Sequence, residues 1–344
     1  MSRRTLVVCP GRGSYSRGTL GHLKNRSGAA TEIVEACDAH RRALGRMPVT
    51  ELDGADAFRG RLHVAGENAS LLTFACALAD FAELDRSRFD VVGVVGNSMG
   101  FYTALAISGA LPLEDAIRLV ETMGSYQKGN VIGAQVLYPV DHDDWTPHPE
   151  REAQVEAAMV ACQAHLSIRL GGYVVIGVAN DQVDNLKAAL PPVERGSRTF
   201  PVQLPLHSAF HTPLMAATSD VAARDLADLD FRSPTVSLFD GRGYRFAPGW
   251  ADPAALADYT LGHQVVAPFD FTAAVRAGLR HTGADVVVAL GPGNALGGPL
   301  ASILVNEGWG GSLTRSDLDD RQRDGEPLLL SFGVPPQRRQ LVAS

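Results

Sequence analysis

The chain has 344 residues, 45% of them hydrophobic and 20% charged, and a formal net charge of −7. That length suits one large domain with an insertion, or two domains, and the acidic balance excludes general nucleic-acid binding, which needs clustered Lys and Arg. The apolar stretch behind the basic start, LVVCP, is too short for a signal-peptide core, no run approaches a membrane span, and Cys9, Cys37, Cys76 and Cys162 are scattered without a CxxC pair, which predicts buried, reduced thiols in a cytoplasmic protein.

In chain order, TLVVCP (5–10) reads as a buried strand and GRGS as the turn after it. Residues 31–46 and 67–84 have helical spacing, the second being apolar enough to be buried. FDVVGVVG (89–96) is a strand apolar on both faces, as in a parallel sheet covered by helices. Helices are predicted over 99–108 and, entered through Pro112, over 113–127.

A second pattern follows. VIGAQVLYPV (131–140) reads as a strand, DHDDWTPHPE as a polar loop, and 151–166 as a helix. LSIRL and YVVIGVA (173–179) are strands, 181–190 is a short helix and RTFPVQL (198–204) a closing strand. This order, βαββαβ, is that of ferredoxin-like domains. It places a small domain, 130–204, inside a large one made of 1–129 and 205–344. Beyond it, 207–229 starts as a loop and becomes a helix. TVSLFDG (235–241) is a strand, 269–283 a helix, and DVVVAL (285–290) an apolar strand ended by GPGN. The charged tail from about 309 holds one short apolar patch, LLLSFGV.

GNSMG (96–100) fits G-x-S-x-G in the context that motif requires, a buried strand, a sharp turn and a helix. The glycines let the turn close, and the turn exposes the Ser98 hydroxyl and aims a helix N-terminus where negative charge develops. A glycine-rich turn packing a helix on a sheet is the bland alternative. A nucleophilic serine needs a base. Among the ten histidines, His22, His40, His63, His165 and His281 have no companion. His142 and His148 lie in an acidic loop whose spacing fits no strong zinc pattern. His207 and His211 stand four apart in LPLHSAFHTPLM; no HExxH glutamate accompanies them, and Pro205 and Pro213 oppose a regular helix through both. GPGN (291–294) ends a strand where open α/β sheets bind ligands, but lacks the Lys-Ser/Thr of a P-loop. GRGSYSRG does not have dinucleotide-fingerprint spacing.

Four stretches, in order and around the insertion, resemble one family: the malonyl-CoA:acyl-carrier-protein transacylases and the acyltransferase domains of polyketide synthases. They are PGRGS (10–14), GNSMG (96–100), SAFHTPLM (208–215) and ALGPGN (289–294). The resemblance spans roughly residues 5–305. It implies an α/β-hydrolase-like parallel sheet domain with an inserted ferredoxin-like small domain. It implies Ser98 as nucleophile and His211 as general base then acid, oriented by backbone carbonyls. The oxyanion donors would be the backbone N–H groups of Met99 and Arg12. The reaction would be ping-pong, from acyl-CoA or an acyl-carrier protein to the phosphopantetheine thiol of a carrier protein, with no bound cofactor or metal.

Departures from the family pattern bear on the acyl group. Met123, in RLVETMG, stands at the position of the family's malonyl-binding arginine, and Arg118 matches a different basic position. A carboxylate in an apolar pocket needs a cation, whereas methionine suits an uncharged chain; the expectation is therefore a non-malonyl unit, with malonyl transfer or an acyl-carrier-protein hydrolase as alternatives. A non-catalytic carrier-binding relative and a general esterase fit less well. Phe210 matches the malonyl-type histidine loop, and Arg12, in place of the family's glutamine, offers a second approach to a carboxylate. Asn97 replaces the usual histidine before the serine, Asn68 sits where the family often has a site-lining glutamine, and Ala267 stands where the transacylases have an asparagine. An acidic carrier partner calls for a local basic patch, for which Arg12, Arg17 and Lys24 are candidates.

Overall fold

The computed structural model describes residues 2–129, 131–323, 325 and 327–343. Its larger sheet is built from the strands that are apolar on both faces. β1 (Arg3–Cys9) lies at the centre, with β2 (Phe89–Gly96) on one side and β12 (Val286–Ala289) on the other, all parallel. The LVVC segment of β1 and the VVVA of β12 are fully buried, which explains their lack of polar alternation. β9 (Ser237–Phe239), with the antiparallel β10 (Arg245–Phe246), extends the sheet beyond β2, and β13 (Leu329–Ser331) extends it beyond β12. The apolar patch of the tail is therefore an edge strand of the main sheet. The Gly66–Glu83 helix packs against the Leu113–Ser125 and Ala29–Ala43 helices beside the sheet.

The second sheet contains β3 (Ala134–Pro139), β4 (His165–Leu170), β5 (Tyr173–Val178) and β8 (Val202–Gln203) in the order β8-β3-β5-β4, the ferredoxin-like arrangement. Its own apolar cluster includes Val136, Tyr138, Ile176, Leu186 and Phe200. The fold is thus an α/β-hydrolase-like parallel sheet domain with a small inserted domain.

Three details differ from the sequence expectation. The helix placed over 151–166 spans Pro149–Ala161, and His165 already belongs to β4. The single closing strand over 198–204 is two pieces: β6 (Val193–Arg195) and β7 (Arg198–Phe200) make a hairpin of their own, and β8 follows Pro201, which cannot donate to a ladder. Third, β11 (Phe269–Asp270), from the large domain, pairs in parallel with β4 at the edge of the small sheet. The segment read as the start of a helix is this short strand, and the helix follows as Phe271–Thr282.

The turn after β2 is possible only with glycine. A Cβ on Gly96 would lie 2.1 Å from the Gly100 carbonyl carbon, and one on Gly100 would lie 2.3 Å from the Cys9 carbonyl oxygen. Gly100→Ala should therefore cost about 1–3 kcal/mol by overpacking against main chain, read as a lower urea midpoint. Gly298→Ala, on an exposed helical position with nothing within 4 Å of the new methyl group, should show no loss.

Candidate functional site

Ser98 follows β2 and precedes the Gly100–Ile107 helix, with φ at +53°. That left-handed conformation is uncommon for a residue with a side chain and marks a position where the fold imposes strain. The β1 end lies against the elbow: Asn97 N–H donates to the Cys9 carbonyl (3.0 Å), and a Cβ on Gly11 would lie 3.1 Å from the Asn97 carbonyl. Residues 10–14 therefore sit beside Ser98. Within the turn, Gly100, Phe101 and Tyr102 donate to the carbonyls of Asn97, Ser98 and Met99. Among the described residues the N–H of Met99 has no main-chain acceptor in the turn, as expected of a helix start.

The second strained residue is His211, with φ at +63°. Its Nε2 accepts from the Ser98 hydroxyl at 2.7 Å. On the other side of the ring, Nδ1 donates to the Gln264 carbonyl at 2.5 Å, and the His211 N–H donates to the Val265 carbonyl at 2.8 Å. A carbonyl can only accept, so Nδ1 carries the proton and Nε2 presents its lone pair to the serine. The two carbonyls are free because they end a helical run. Pro253–Asp258, the π-helical Tyr259–His263 and Gln264–Val266 are continuous, and Pro268 closes the segment. The last carbonyls of a helix lack internal partners and carry partial negative charge, which suits an imidazole that must become cationic. Gln264 adds a second tie, its Nε2 donating to the Ser98 carbonyl at 3.0 Å.

The histidine loop is also clamped by the small domain. Ser167 Oγ donates to the Phe210 carbonyl (2.8 Å), Gln135 Nε2 donates to Ser167 Oγ (2.8 Å), and Ala209 N–H donates to the Ile132 carbonyl (2.7 Å). Phe269, on β11, packs its ring 5.4 Å from the imidazole. Burial pushes the His211 pKa down to about 4, against an opposing effect of the Gln264 carbonyl, so the ring is neutral at physiological pH.

Both residues open onto one cleft of about 520 Å³ between the two domains. Asn97, Met99, Met123, Phe210 and Arg12 also line it. Asn68 does not, contrary to the sequence expectation. Its Oδ1 accepts from Arg41 (2.6 Å) and its Nδ2 donates to the Leu62 carbonyl (3.0 Å). The residue of that helix facing the cleft is Ser70, and two residues correspond to a rotation of about 200° on a helix. Arg12 is buried rather than part of a surface patch, whereas Arg17 and Lys24 are exposed. Arg118 holds Asp228 on the exterior (2.6 Å). Ala267 is not among the residues lining the cleft.

The two spaced histidines do not share a ligand. His207 also lines the cleft, but its Nδ1 donates to the Pro205 carbonyl at 2.8 Å, and burial, then Arg12, pushes its pKa down to about 3. His142 and His148 stack on one another with ring centroids 4.2 Å apart. Among the described residues there is no group of three or more His, Cys, Asp or Glu able to hold a metal ion, and no helix long and apolar enough to cross a membrane. Sequence reasoning singled out His207 but missed Gln127, Gln135 and Gln264 as parts of the cleft.

No protein-family model matches the chain. It is 26% identical over 296 residues to the malonyl CoA-acyl carrier protein transacylase of Salmonella typhimurium, covering 85% of this chain and 90% of that one. It is 28% identical over 305 residues to a phenolphthiocerol synthesis polyketide synthase of Mycobacterium marinum, where 88% of this chain corresponds to only 14% of the longer protein. The fold superposes on a malonyl-CoA:acyl carrier protein transacylase from Xanthomonas oryzae pv. oryzae with a TM-score of 0.74 at 20% identity, over the whole of both chains. The chain is thus similar in sequence to malonyl-CoA:acyl-carrier-protein transacylases and to a polyketide synthase segment, and it shares the fold of the solved transacylase. It matches the stand-alone transacylases over most of their length and the polyketide synthase over one segment.

If Nε2 must be neutral to take the serine proton, the depressed pKa sets the pH profile of this site. Single-turnover acylation of Ser98 should be flat from pH 8 down to about pH 5 and fall only as His211 protonates, near pH 4. A midpoint at the ordinary histidine value would contradict the buried, carbonyl-held ring.

Proposed function

We propose that this chain is an acyl-carrier-protein S-acyltransferase working through acyl-Ser98, with malonyl as the acyl unit. The observation that carries the chemistry is the Ser98 hydroxyl bonded at 2.7 Å to an imidazole whose other nitrogen is fixed on a main-chain carbonyl.

As Ser98 Oγ attacks the thioester carbonyl of acyl-CoA, His211 Nε2 takes its proton. The N–H groups of Met99 and Arg12 receive the oxyanion, where preorganised donors act most strongly. Collapse expels the CoA sulfur, which takes the proton from Nε2. In the second half, the phosphopantetheine thiol of a carrier protein gives its proton to Nε2 and attacks acyl-Ser98. Ser98 Oγ then leaves and recovers the proton. The reading requires no bound cofactor.

Met123 led to the expectation of an uncharged acyl unit. The relatives do not support that restriction. The named transacylases it matches over 85–86% of its length are malonyl enzymes, which favours the alternative. The cleft also contains a cation, Arg12, the second approach to a carboxylate noted in the sequence.

Incubation with malonyl-CoA should give an intact-mass adduct of one malonyl group that is missing in Ser98→Ala and passes to the thiol of an added carrier protein. His211→Ala should slow its formation by about 10²–10⁴-fold. Steady release of free malonate without transfer would mark a hydrolase, and no adduct with any acyl-CoA would mark a binding protein.

A further inference from the structure

The cleft holds a buried charge that the serine–histidine chemistry does not use. Arg12 is only 8% exposed. Its Nη1 donates to Gln127 Oε1 and its Nη2 to the Leu206 carbonyl, both at 2.7 Å. Both acceptors are neutral. Arg26 and Arg41, the chain's other deeply buried guanidinium groups in the same lobe, each meet a carboxylate: Arg26 meets Asp80 and Glu83, and Arg41 meets Glu121. Arg12 has no such partner among the described residues; Glu67 acts on it only through space. A buried cation without a counter-ion is costly. Burial lowers its pKa only to about 10, so it keeps its charge at neutral pH. Two of its five N–H donors are engaged within the chain, and a guanidinium fork has room for a bidentate acceptor.

Its position is specific. A Cβ on Gly66 would lie 2.7 Å from Arg12 Nη1 and 2.9 Å from the Gly124 carbonyl, and one on Gly124 would lie 2.7 Å from the Gly66 carbonyl. Two glycines facing each other across adjacent helices thus leave space for the guanidinium, next to Met123 in the cleft wall. The surrounding wall is apolar at Val120, Met123 and Leu137. The other arginine lining the cleft, Arg198, is exposed on β7. His207, beside Arg12, stays neutral and offers no competing charge.

We infer that the Arg12 side chain is the counter-cation for a free carboxylate on the acyl group, so that one residue supplies a main-chain donor to the oxyanion and selects dicarboxylic acyl thioesters. The inference rests on the reading of acyl transfer through Ser98. It makes Arg12 the specificity-determining residue, in place of any cation on the helix that carries Met123. An uncharged acyl chain of similar length would leave the guanidinium buried and unpaired, and that is the source of discrimination.

The test follows Ser98 acylation by intact mass with malonyl-CoA and butyryl-CoA, in the wild type, Arg12→Lys and Arg12→Gln. The ratio of malonyl to butyryl rates should fall by about 30-fold or more in Arg12→Gln, the loss of a charged hydrogen-bonded pair. Arg12→Lys should fall in between, because it keeps the charge without the fork. An unchanged ratio in both variants overturns the assignment. If neither thioester acylates the wild type, the acyl-transfer reading itself fails; if both do and the ratio ignores Arg12, only the present inference fails. Circular dichroism reports folding. Should Arg12→Gln not fold, the wild type with malonyl-CoA against its methyl ester, together with Arg12→Lys, decides: equal rates for acid and ester overturn the inference, and a preference for the acid that Arg12→Lys weakens supports it.

Discussion

The cleft depends on main chain packing directly against main chain where β1 ends and the serine elbow turns. Gly96 and Gly100 leave no volume for a methyl group between the strand, the following helix and the Cys9 carbonyl. That contact brings the Arg12 loop and the Ser98 turn to one point. It also forces Ser98 into the left-handed region. The strain is localised where the Ser98 hydroxyl protrudes into the cleft, and the two flanking buried strands supply the apolar burial that offsets it.

His211 is held in an analogous way, by backbone rather than by an acidic side chain. The end of a helical run lends two carbonyls to His211, one to the ring and one to its N–H. A carboxylate in that place would raise the histidine pKa strongly through its full charge. The partial charges of helix-end carbonyls fix the tautomer while leaving burial dominant, and the ring stays neutral. The same burial that keeps His211 uncharged surrounds Arg12, but a guanidinium has a far higher starting pKa and remains a cation. One low-dielectric cleft therefore holds a neutral imidazole and a guanidinium charge side by side.

The central strands were legible because burial on both faces leaves an unbroken apolar run, and GNSMG was legible because only glycine fits beside the serine. β13 read only as an apolar patch, since three residues carry no period. β11 is two residues long and pairs with a distant segment, so local pattern reads it as the start of the helix that follows. The Gln264 carbonyl left no side-chain signature, because any residue carries the same group. Asn68 was misplaced by the rotation of one helix, for which a linear motif gives no phase. Arg12 was visible as a residue at the site mouth, but its burial depends on Gly66 and Gly124, more than fifty residues away and meeting only in the folded chain.

β11 ties the lobes together mechanically. It leaves the large domain, hydrogen-bonds to the edge of the small sheet, and carries the Phe269 ring against His211. Gly171, just past β4, donates to the hydroxyl of Thr272, the second residue of the next helix. A rocking motion of the small lobe would pull on the same strand that buttresses the imidazole. Displacing the small lobe therefore requires breaking main-chain hydrogen bonds within two residues of the ring that backs His211, so the cleft width and the imidazole position are coupled through one short strand.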